Sequence, residues 1–132
     1  MENCIFCKII KGEIPTEKIY EDDKVLAFLD INPVTYGHTL LIPKKHHAIM
    51  TDVPDELLGY CFTKAKELML KIKKALKADY ISISVSGVDI PHFHIHLIPR
   101  KFNDKLKGWP TKPYAKGEMK KVAEKIKKTI KK

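Results

Sequence analysis

The segment HFHIHLI, residues 92–98, alternates histidine with large apolar residues. Successive side chains of a β-strand point to opposite faces, so this pattern predicts a strand with His92, His94 and His96 on one face. The apolar residues between them then pack into the core. Three imidazoles in register have little structural use, because each buried ring has two nitrogens that need partners and each titrates near neutral pH. The segment therefore indicates a functional site.

Two chemistries can use such a row of imidazoles. A metal ion could bind two of the rings and lower the pKa of a bound water. Alternatively, a neutral imidazole could attack phosphorus directly while its neighbours orient the ring and protonate the leaving group. The histidines alone leave both possibilities open.

Four separated segments resemble the histidine triad family. The run HFHIHLIPR is similar to the family signature, in which histidine alternates with apolar residues. Upstream segments match in the same order, and the similarity covers about residues 3–50 and 80–100. They are CIFCKIIKGEIP, YEDDKVLAFLDINP and GHTLLIPKKH. The resemblance implies a small nucleotide-binding hydrolase or transferase that acts on nucleoside 5′-phosphate derivatives, either phosphoramidates or dinucleoside polyphosphates. It would cleave them at the α-phosphorus and release a nucleoside monophosphate such as AMP.

The resemblance also implies roles for individual residues. His94 matches the nucleophile that forms a nucleotidyl-histidine intermediate, and His96 matches the histidine that assists the leaving group. His38 matches an additional active-site histidine, and Asp30 matches the acid that binds the ribose hydroxyls, although it could instead cap the turn at Asn32. The resemblance implies an apolar slot for the base. Its residues are Ile5, Phe6, Ile9, Phe28, Leu29 and Ile31. Phe6 and Ile9 could equally be ordinary core residues.

The segment before the histidines departs from the family pattern. Family members commonly place asparagine and glutamine there to bind phosphate oxygens, but the glutamine position holds Val88. Ser84 and Ser86 could replace some of these contacts, and Ser86 and Asp89 are expected at the nucleotide. Asp89 would add a negative charge near an anion. Slower turnover or a changed choice of leaving group is therefore expected, and a nucleotide-sensing or nucleic-acid-associated binding protein is the alternative function.

Cys4 and Cys7 form a Cys-x-x-Cys pair, which is half of a tetrahedral zinc site. Packed apolar cysteines are the other interpretation. Family members with this pair use two histidines to complete the site, and here these are His46 and His92, with His47 as a possible substitute. The resemblance thus implies a closed structural zinc site, which leaves no open position for a reacting water.

The remaining patterns predict an α+β fold with an antiparallel sheet of about five strands. Residues 18–30 indicate two strands around an acidic turn, and residues 38–46 and 80–87 indicate one strand each. The apolar stripe from Leu57 to Leu76 predicts a long helix from Pro54 to about Lys77, with Cys61 in the core. A closing helix is expected to bury Met119, Val122, Ala123, Ile126 and Ile130.

Length and composition limit the remaining possibilities. The 132 residues, 44% of them apolar, fit a single folded domain over residues 1–132. Neither a membrane span nor a signal peptide is evident, so a cytoplasmic protein is expected. The net charge of +9 favours anionic partners, but it comes almost entirely from lysine, and nucleic-acid binding is disfavoured without arginine clusters. A purine nucleotide substrate and a homodimer are expected by analogy with the family.

Overall fold

The computed structural model describes residues 3–87 and 89–131. Its strands are β1 (Lys18–Glu21), β2 (Val25–Leu29), β3 (Thr39–Pro43), β4 (Tyr80–Ser84) and β5 (Ile95–Arg100). Its helices are α1 (Ile5–Ile10), α2 (Asp55–Leu76) and α3 (Glu118–Ile130), with a 3-10 turn at Met50–Asp52. The strands form one antiparallel sheet in the order β1-β2-β3-β5-β4. The predicted fold class is confirmed.

The central strands are buried on both faces because each face carries its own apolar layer. On one face, Val25, Ala27 and Leu29 of β2 pack with α2 and α3. On the other, Leu26 and Phe28 of the same strand pack with α1. The two-residue period of β2 therefore divides its side chains between a helical core and a second, smaller core.

Both long helices match the prediction. α2 begins after Pro54 and ends at Lys77, which adopts a left-handed conformation with φ 54° and closes the helix. Cys61 is completely buried in the core, as expected. α3 buries Val122, Ala123 and Ile126, and its other predicted apolar residues pack partly buried beside them.

The predicted start of the histidine strand at residue 92 is wrong, because β5 begins at Ile95. Pairing with β3 ends at the Leu41–Ile95 pair. The N–H of Phe93 instead donates to the carbonyl of His47, 2.7 Å away. The alternation nevertheless persists, since Phe93 packs on the helical face while the histidines lie on the other. β4 is likewise shorter than predicted.

Helix α1 was not predicted, because a helix of six residues is too short for its apolar spacing to be distinguished from other structures. The thiol of Cys4 accepts the N–H of Cys7 and caps the helix. Phe6 and Ile9 are thereby buried against the second core. None of the helices in the described part of the chain is long and apolar enough to cross a membrane.

Candidate active site

A cavity of about 740 Å³ opens on the α1 side of the sheet. α1 forms one wall, β2 and the turn after it form another, and the segment before β5 supplies histidines. Predicted site residues that line it are Ile5, Phe6, Ile9, Phe28, Leu29, Asp30, Ile31, Ser86, Asp89, His94 and His96. The structure thus brings eleven of these residues around one space large enough for a small ligand.

The ring of His94 is fixed in one orientation. Its Nδ1 lies 2.7 Å from the carbonyl oxygen of His92, which can only accept, so Nδ1 carries the proton. In the neutral ring, Nε2 then holds a lone pair. His94 is 98% buried, and its Nε2 has no hydrogen-bond partner among the described residues. A buried nitrogen with a free lone pair that faces a cavity is suited to nucleophilic attack.

His38 and His96 form a directed chain of hydrogen bonds. The N–H of Val34 donates to Nδ1 of His38 over 3.0 Å, so the proton of the neutral ring lies on Nε2. That Nε2 lies 2.9 Å from Nδ1 of His96 and donates to it. The proton of His96 is therefore on its own Nε2. His96 lies in the cavity wall with an N–H donor available for a ligand.

Burial keeps both rings neutral. Burial and the neighbouring His96 lower the pKa of His38 to about 3. Burial and the neighbouring His94 lower the pKa of His96 to about 4, although the carboxylate of Asp89 opposes the shift. Both imidazoles are thus neutral at pH 7 in the free protein. A bound anion would favour the charged form of His96.

Gly37 allows His38 to reach this position. Its φ is +94°, and a Cβ on this residue would lie 2.2 Å from the Leu76 side chain at the end of α2. The positive φ favours glycine, and any other residue would also have to displace the Leu76 side chain. The carbonyl of His38 then accepts the N–H of Asp30 over 2.9 Å, which connects the turn to the end of β2.

Asp30 serves the turn and also faces the cavity. One carboxylate oxygen accepts the N–H of Asn32 over 2.9 Å, as the capping interpretation predicts. The other lies 3.8 Å from Nε2 of His38. Burial raises the pKa of Asp30. Since the turn uses only one oxygen, the carboxylate retains acceptor capacity toward the cavity.

The predicted base slot is an apolar wall. Phe6 meets Phe28 edge to face with ring centroids 5.6 Å apart, and it meets His94 in the same way at 5.1 Å. Phe6 and Ile9 are both buried core and cavity lining, so the two interpretations are compatible. Ile5 and Ile31 are 44% and 66% exposed. They leave apolar surface available to a flat ring.

Four further residues form a compact cluster behind His94. Nδ1 of His92 lies 3.3 Å from Sγ of Cys4, and Nδ1 of His46 lies 3.2 Å from Sγ of Cys7. All four possible ligand atoms lie within 4.8 Å of one another. His92 donates its Nε2 proton to the carbonyl of Pro43, so its Nδ1 lone pair faces the thiols. The predicted substitute His47 is not part of this cluster and lines a different cavity.

Comparison with known proteins identifies the family. The HIT domain matches the chain over residues 11–103. The chain belongs to the histidine triad (HIT) family. This HIT protein is 47% identical to an uncharacterized HIT-like protein of Methanocaldococcus jannaschii, over 76% of its own chain and 81% of the relative. It is 36% identical to the adenosine 5′-monophosphoramidase hnt1 of Schizosaccharomyces pombe, over 98% of its own chain and 99% of the relative.

Solved structures agree with this assignment. A zinc-bound histidine triad family protein from Mycobacterium smegmatis aligns with the HIT protein with a TM-score of 0.89 and 29% identity. The alignment covers 98% of this chain and 94% of that one. The predicted family resemblance is therefore confirmed.

The altered phosphate segment of the HIT protein is only partly described. Val88, at the expected glutamine position, lies outside the described residues. Ser84 and Ser86 both line the cavity. Asp89 places Oδ1 3.5 Å from Nε2 of His94. A carboxylate therefore faces the nitrogen for which the family resemblance implies the role of nucleophile.

Sequence reasoning missed Trp109 and Thr111, which also line the cavity. The Trp109 ring lies edge to face against His96 and His38, with centroids 4.9 and 5.6 Å away. Both residues belong to the irregular segment after β5, which Arg100 anchors through two hydrogen bonds to Asp104. The turn signal of Gly108 and Pro110 around Trp109 was the one available indication.

Proposed function

We propose that this HIT protein is a nucleotidyl hydrolase. It cleaves nucleoside 5′-phosphate derivatives at the α-phosphorus and releases a nucleoside monophosphate such as AMP. The observation that carries the proposal is the free Nε2 of His94, which faces the cavity while its ring is held by the His92 carbonyl. Similarity to a monophosphoramidase of S. pombe along almost the whole chain supports a phosphoramidate substrate.

The nucleotide binds with its base against the apolar wall and its ribose at Asp30. The edge-to-face pair of Phe6 and Phe28 supplies a rigid apolar surface for a purine. Asp30 at the end of β2 has an oxygen free of the turn, and this oxygen accepts a ribose hydroxyl. With base and ribose so placed, the phosphate reaches His94 and His96.

In the first step, the lone pair on Nε2 of His94 forms a bond to the α-phosphorus. The bond from phosphorus to the leaving nitrogen or oxygen breaks, and its electron pair remains on the leaving atom. The negative phosphate raises the pKa of His96, which becomes an imidazolium on substrate binding and gives its Nε2 proton to the leaving atom. In the free protein, His38 donates to Nδ1 of His96 and so keeps the single proton of the neutral ring on Nε2. This hydrogen bond breaks when Nδ1 takes up the second proton from solvent on substrate binding.

In the second step, the neutral His96 accepts a proton from a water that attacks phosphorus. The bond between phosphorus and Nε2 of His94 breaks, and its electron pair returns to the nitrogen. His96 is again an imidazolium and His94 is free, so both residues return to their states in the substrate complex. His96 gives its extra proton back to solvent when the product leaves. Splitting the displacement at His94 replaces one difficult step with two easier ones.

The tautomers disfavour the alternative in which a metal ion on the row of histidines activates water. His96 and His38 would each need a lone pair on a nitrogen that carries a proton. Moving the proton of His38 to Nδ1 would place it against the N–H of Val34. The hydrogen-bonded pair of His38 and His96 therefore favours proton transfer over metal binding.

Zinc is proposed for the Cys4, Cys7, His46 and His92 cluster. Ligands at typical Zn–S and Zn–N lengths of about 2.3 and 2.0 Å stand roughly 3.5 Å apart in a tetrahedron. The sulfur–nitrogen distances of 3.2 to 3.6 Å fit this value. Four protein ligands would leave no position for water, so the metal would tie α1 to the segment before β5 and supply no chemistry.

A homodimer is proposed through β4. This strand lies at the edge of the sheet, where it pairs only with β5 on its inner side. Ile83 on β4 and Leu70 on α2 are 43% and 64% exposed. A second copy would cover the unpaired edge, which isolated sheets rarely leave open. We further propose that residues 1–132 form a single domain.

The covalent intermediate provides the test. Phosphoramidate bonds survive base, so alkaline quenching of a reaction with ³²P-labelled adenosine 5′-phosphoramidate should leave label on the wild-type protein. His94→Ala should abolish labelling and AMP release while AMP binding persists. His47→Ala, which removes a histidine outside the cavity, should change neither. AMP release by His94→Ala at near the wild-type rate would overturn the assignment of the nucleophile.

A further inference from the structure

The substrate cavity is unusual in its charge. The protein carries a net charge of +9, yet no lysine or arginine is found among the described residues that line the cavity. Two carboxylates, Asp30 and Asp89, line it instead. The pKa of His96 is about 4, so its imidazole adds no positive charge in the free protein. The cavity wall is thus negative within a cationic protein.

Asp89 is the carboxylate that faces the chemistry. Its Oδ1 lies 3.5 Å from Nε2 of His94, and its side chain is 57% exposed. Burial opposes its ionisation, but the backbone N–H groups of Asp89 and Ile90 and the nearby imidazoles outweigh that effect and lower its pKa. Asp89 is therefore ionised at neutral pH. Any group attached to the reacting phosphorus is bound within the field of this charge.

The size of that field is enough to sort substrates. A unit charge about 8 Å from a carboxylate changes binding roughly 2.4-fold in bulk water and roughly 30-fold at the effective dielectric constant of a protein surface. Dissolved salt reduces the effect, because the Debye length is about 10 Å at 0.1 M. Changing the tail of a leaving group from positive to negative changes its charge by two units. At low salt, this change should alter the rate by at least about 6-fold.

The surroundings favour an organic cation over a metal ion. Trp109 lines the same cavity and is 48% exposed, and an indole face attracts organic cations. Mg²⁺ would need further oxygen ligands in fixed octahedral positions. His96 offers a proton rather than a lone pair. A carboxylate and an indole in one mainly apolar cavity are typical of amine recognition.

We infer that Asp89 is a specificity-determining residue that selects substrates whose leaving group carries a positive charge. The chemical class is a nucleoside 5′-phosphoramidate of an amine with a cationic tail. Anionic leaving groups, such as a second nucleotide joined through phosphates, are disfavoured. This inference rests on the proposed function, because it specifies which P–N bond the same reaction breaks.

Three adenosine 5′-phosphoramidates that differ only in the tail of the leaving amine provide the test. They are the N-(4-aminobutyl), N-butyl and N-(3-carboxypropyl) compounds. kcat/KM for AMP release is measured at low and high salt for wild type and for Asp89→Asn, which removes the charge and keeps the shape. For each protein, the kcat/KM of the cationic compound is divided by that of the anionic compound. Comparing this ratio between wild type and Asp89→Asn cancels the intrinsic reactivity of the compounds. Asp23→Asn, an exposed carboxylate outside the cavity, makes the same charge change as a control.

The wild type should prefer the cationic compound over the anionic one by at least about 6-fold at low salt, and less at high salt. Asp89→Asn should reduce this preference to near the intrinsic ratio, mainly by faster cleavage of the anionic compound. Asp23→Asn should keep the wild-type preference. Equal preferences in wild type and Asp89→Asn would overturn the inference while leaving the hydrolase function intact. If no compound is cleaved, the proposed function fails. Calorimetric affinities then test the inference, which expects the wild type to bind the cationic compound most tightly and the anionic compound most weakly.

Discussion

The hydrogen-bond chain that fixes His96 predicts the effect of His38→Leu. Leucine fills the space of the imidazole but neither accepts the N–H of Val34 nor donates to His96. His96 can then place its proton on either nitrogen. Molecules whose neutral ring carries the proton on Nδ1 would then present a lone pair instead of an N–H donor to the bound phosphate.

The structure allows two effects of His38→Leu to be estimated separately, a loss of stability and a loss of kcat. Val34 is buried, so its N–H loses its partner where water cannot replace it, at a cost of about 1–3 kcal/mol in the free energy of unfolding. The loss of an oriented general acid should lower kcat by about 10², at the lower end of the usual range. A 10²-fold loss corresponds to about 2.7 kcal/mol in the activation barrier.

AMP release and urea unfolding measure the two losses independently. Thr35→Val is the matched control, because it lies in the same turn and loses the 2.6 Å hydrogen bond from its hydroxyl to the carbonyl of Pro99, while its own carbonyl still accepts the N–H of His38. It should lose stability by about 1 kcal/mol and keep its kcat. If His38→Leu folds and retains kcat within about 3-fold of wild type, the hydrogen bonds from Val34 through His38 do not orient His96, and the reasoning is wrong.

Four more outcomes are expected. Metal analysis should find about one zinc per chain, and Cys4→Ser should lower both zinc content and melting temperature; unchanged values in the variant would contradict a metal site. Asp30→Ala should weaken AMP binding much more than 2′,3′-dideoxy-AMP binding in calorimetry, whereas equal losses would assign Asp30 to the turn alone. Gly37→Ala should lose roughly 3 kcal/mol in urea unfolding, since its Cβ would meet Leu76 and its φ is positive. The pKa of His38 is lowered to about 3 in the folded protein, so as pH falls the unfolded chain takes up this proton before the folded protein does. The free energy of unfolding should therefore fall as pH drops from about 6.5 toward 3. His38→Leu should show a shallower fall.

The sequence predicted the parts of the fold that follow from periodicity. The apolar stripe of α2 and the two-residue alternation through Phe93 and Ile95 each determine which side chains are buried. The start of β5 could not be predicted, because it depends on a partner 46 residues away: the carbonyl of His47 takes the N–H of Phe93. Helix α1 depends on a thiol cap at Cys4, which short sequence patterns do not reveal.

The candidate site was predicted as a set of residues but not as a mechanism. Resemblance placed His38, His94 and His96 together without saying which nitrogens carry protons. The protons follow from the N–H of Val34 and the carbonyl of His92, which are backbone groups without any side-chain signature. The contact of Trp109 with the histidines was similarly hidden, because a long irregular segment separates it from β5.

His92 connects the cysteine cluster to the nucleophile. Its Nδ1 faces Cys4 and Cys7, while its carbonyl accepts the Nδ1 proton of His94. The same carbonyl thus determines that the free lone pair of His94 lies on Nε2. Any change that releases the ring of His92 from the cluster also frees the carbonyl that orients His94. We therefore expect the Cys-x-x-Cys pair to affect the proposed reaction through the backbone of one residue, and a variant such as Cys4→Ser should lower kcat more than it weakens AMP binding.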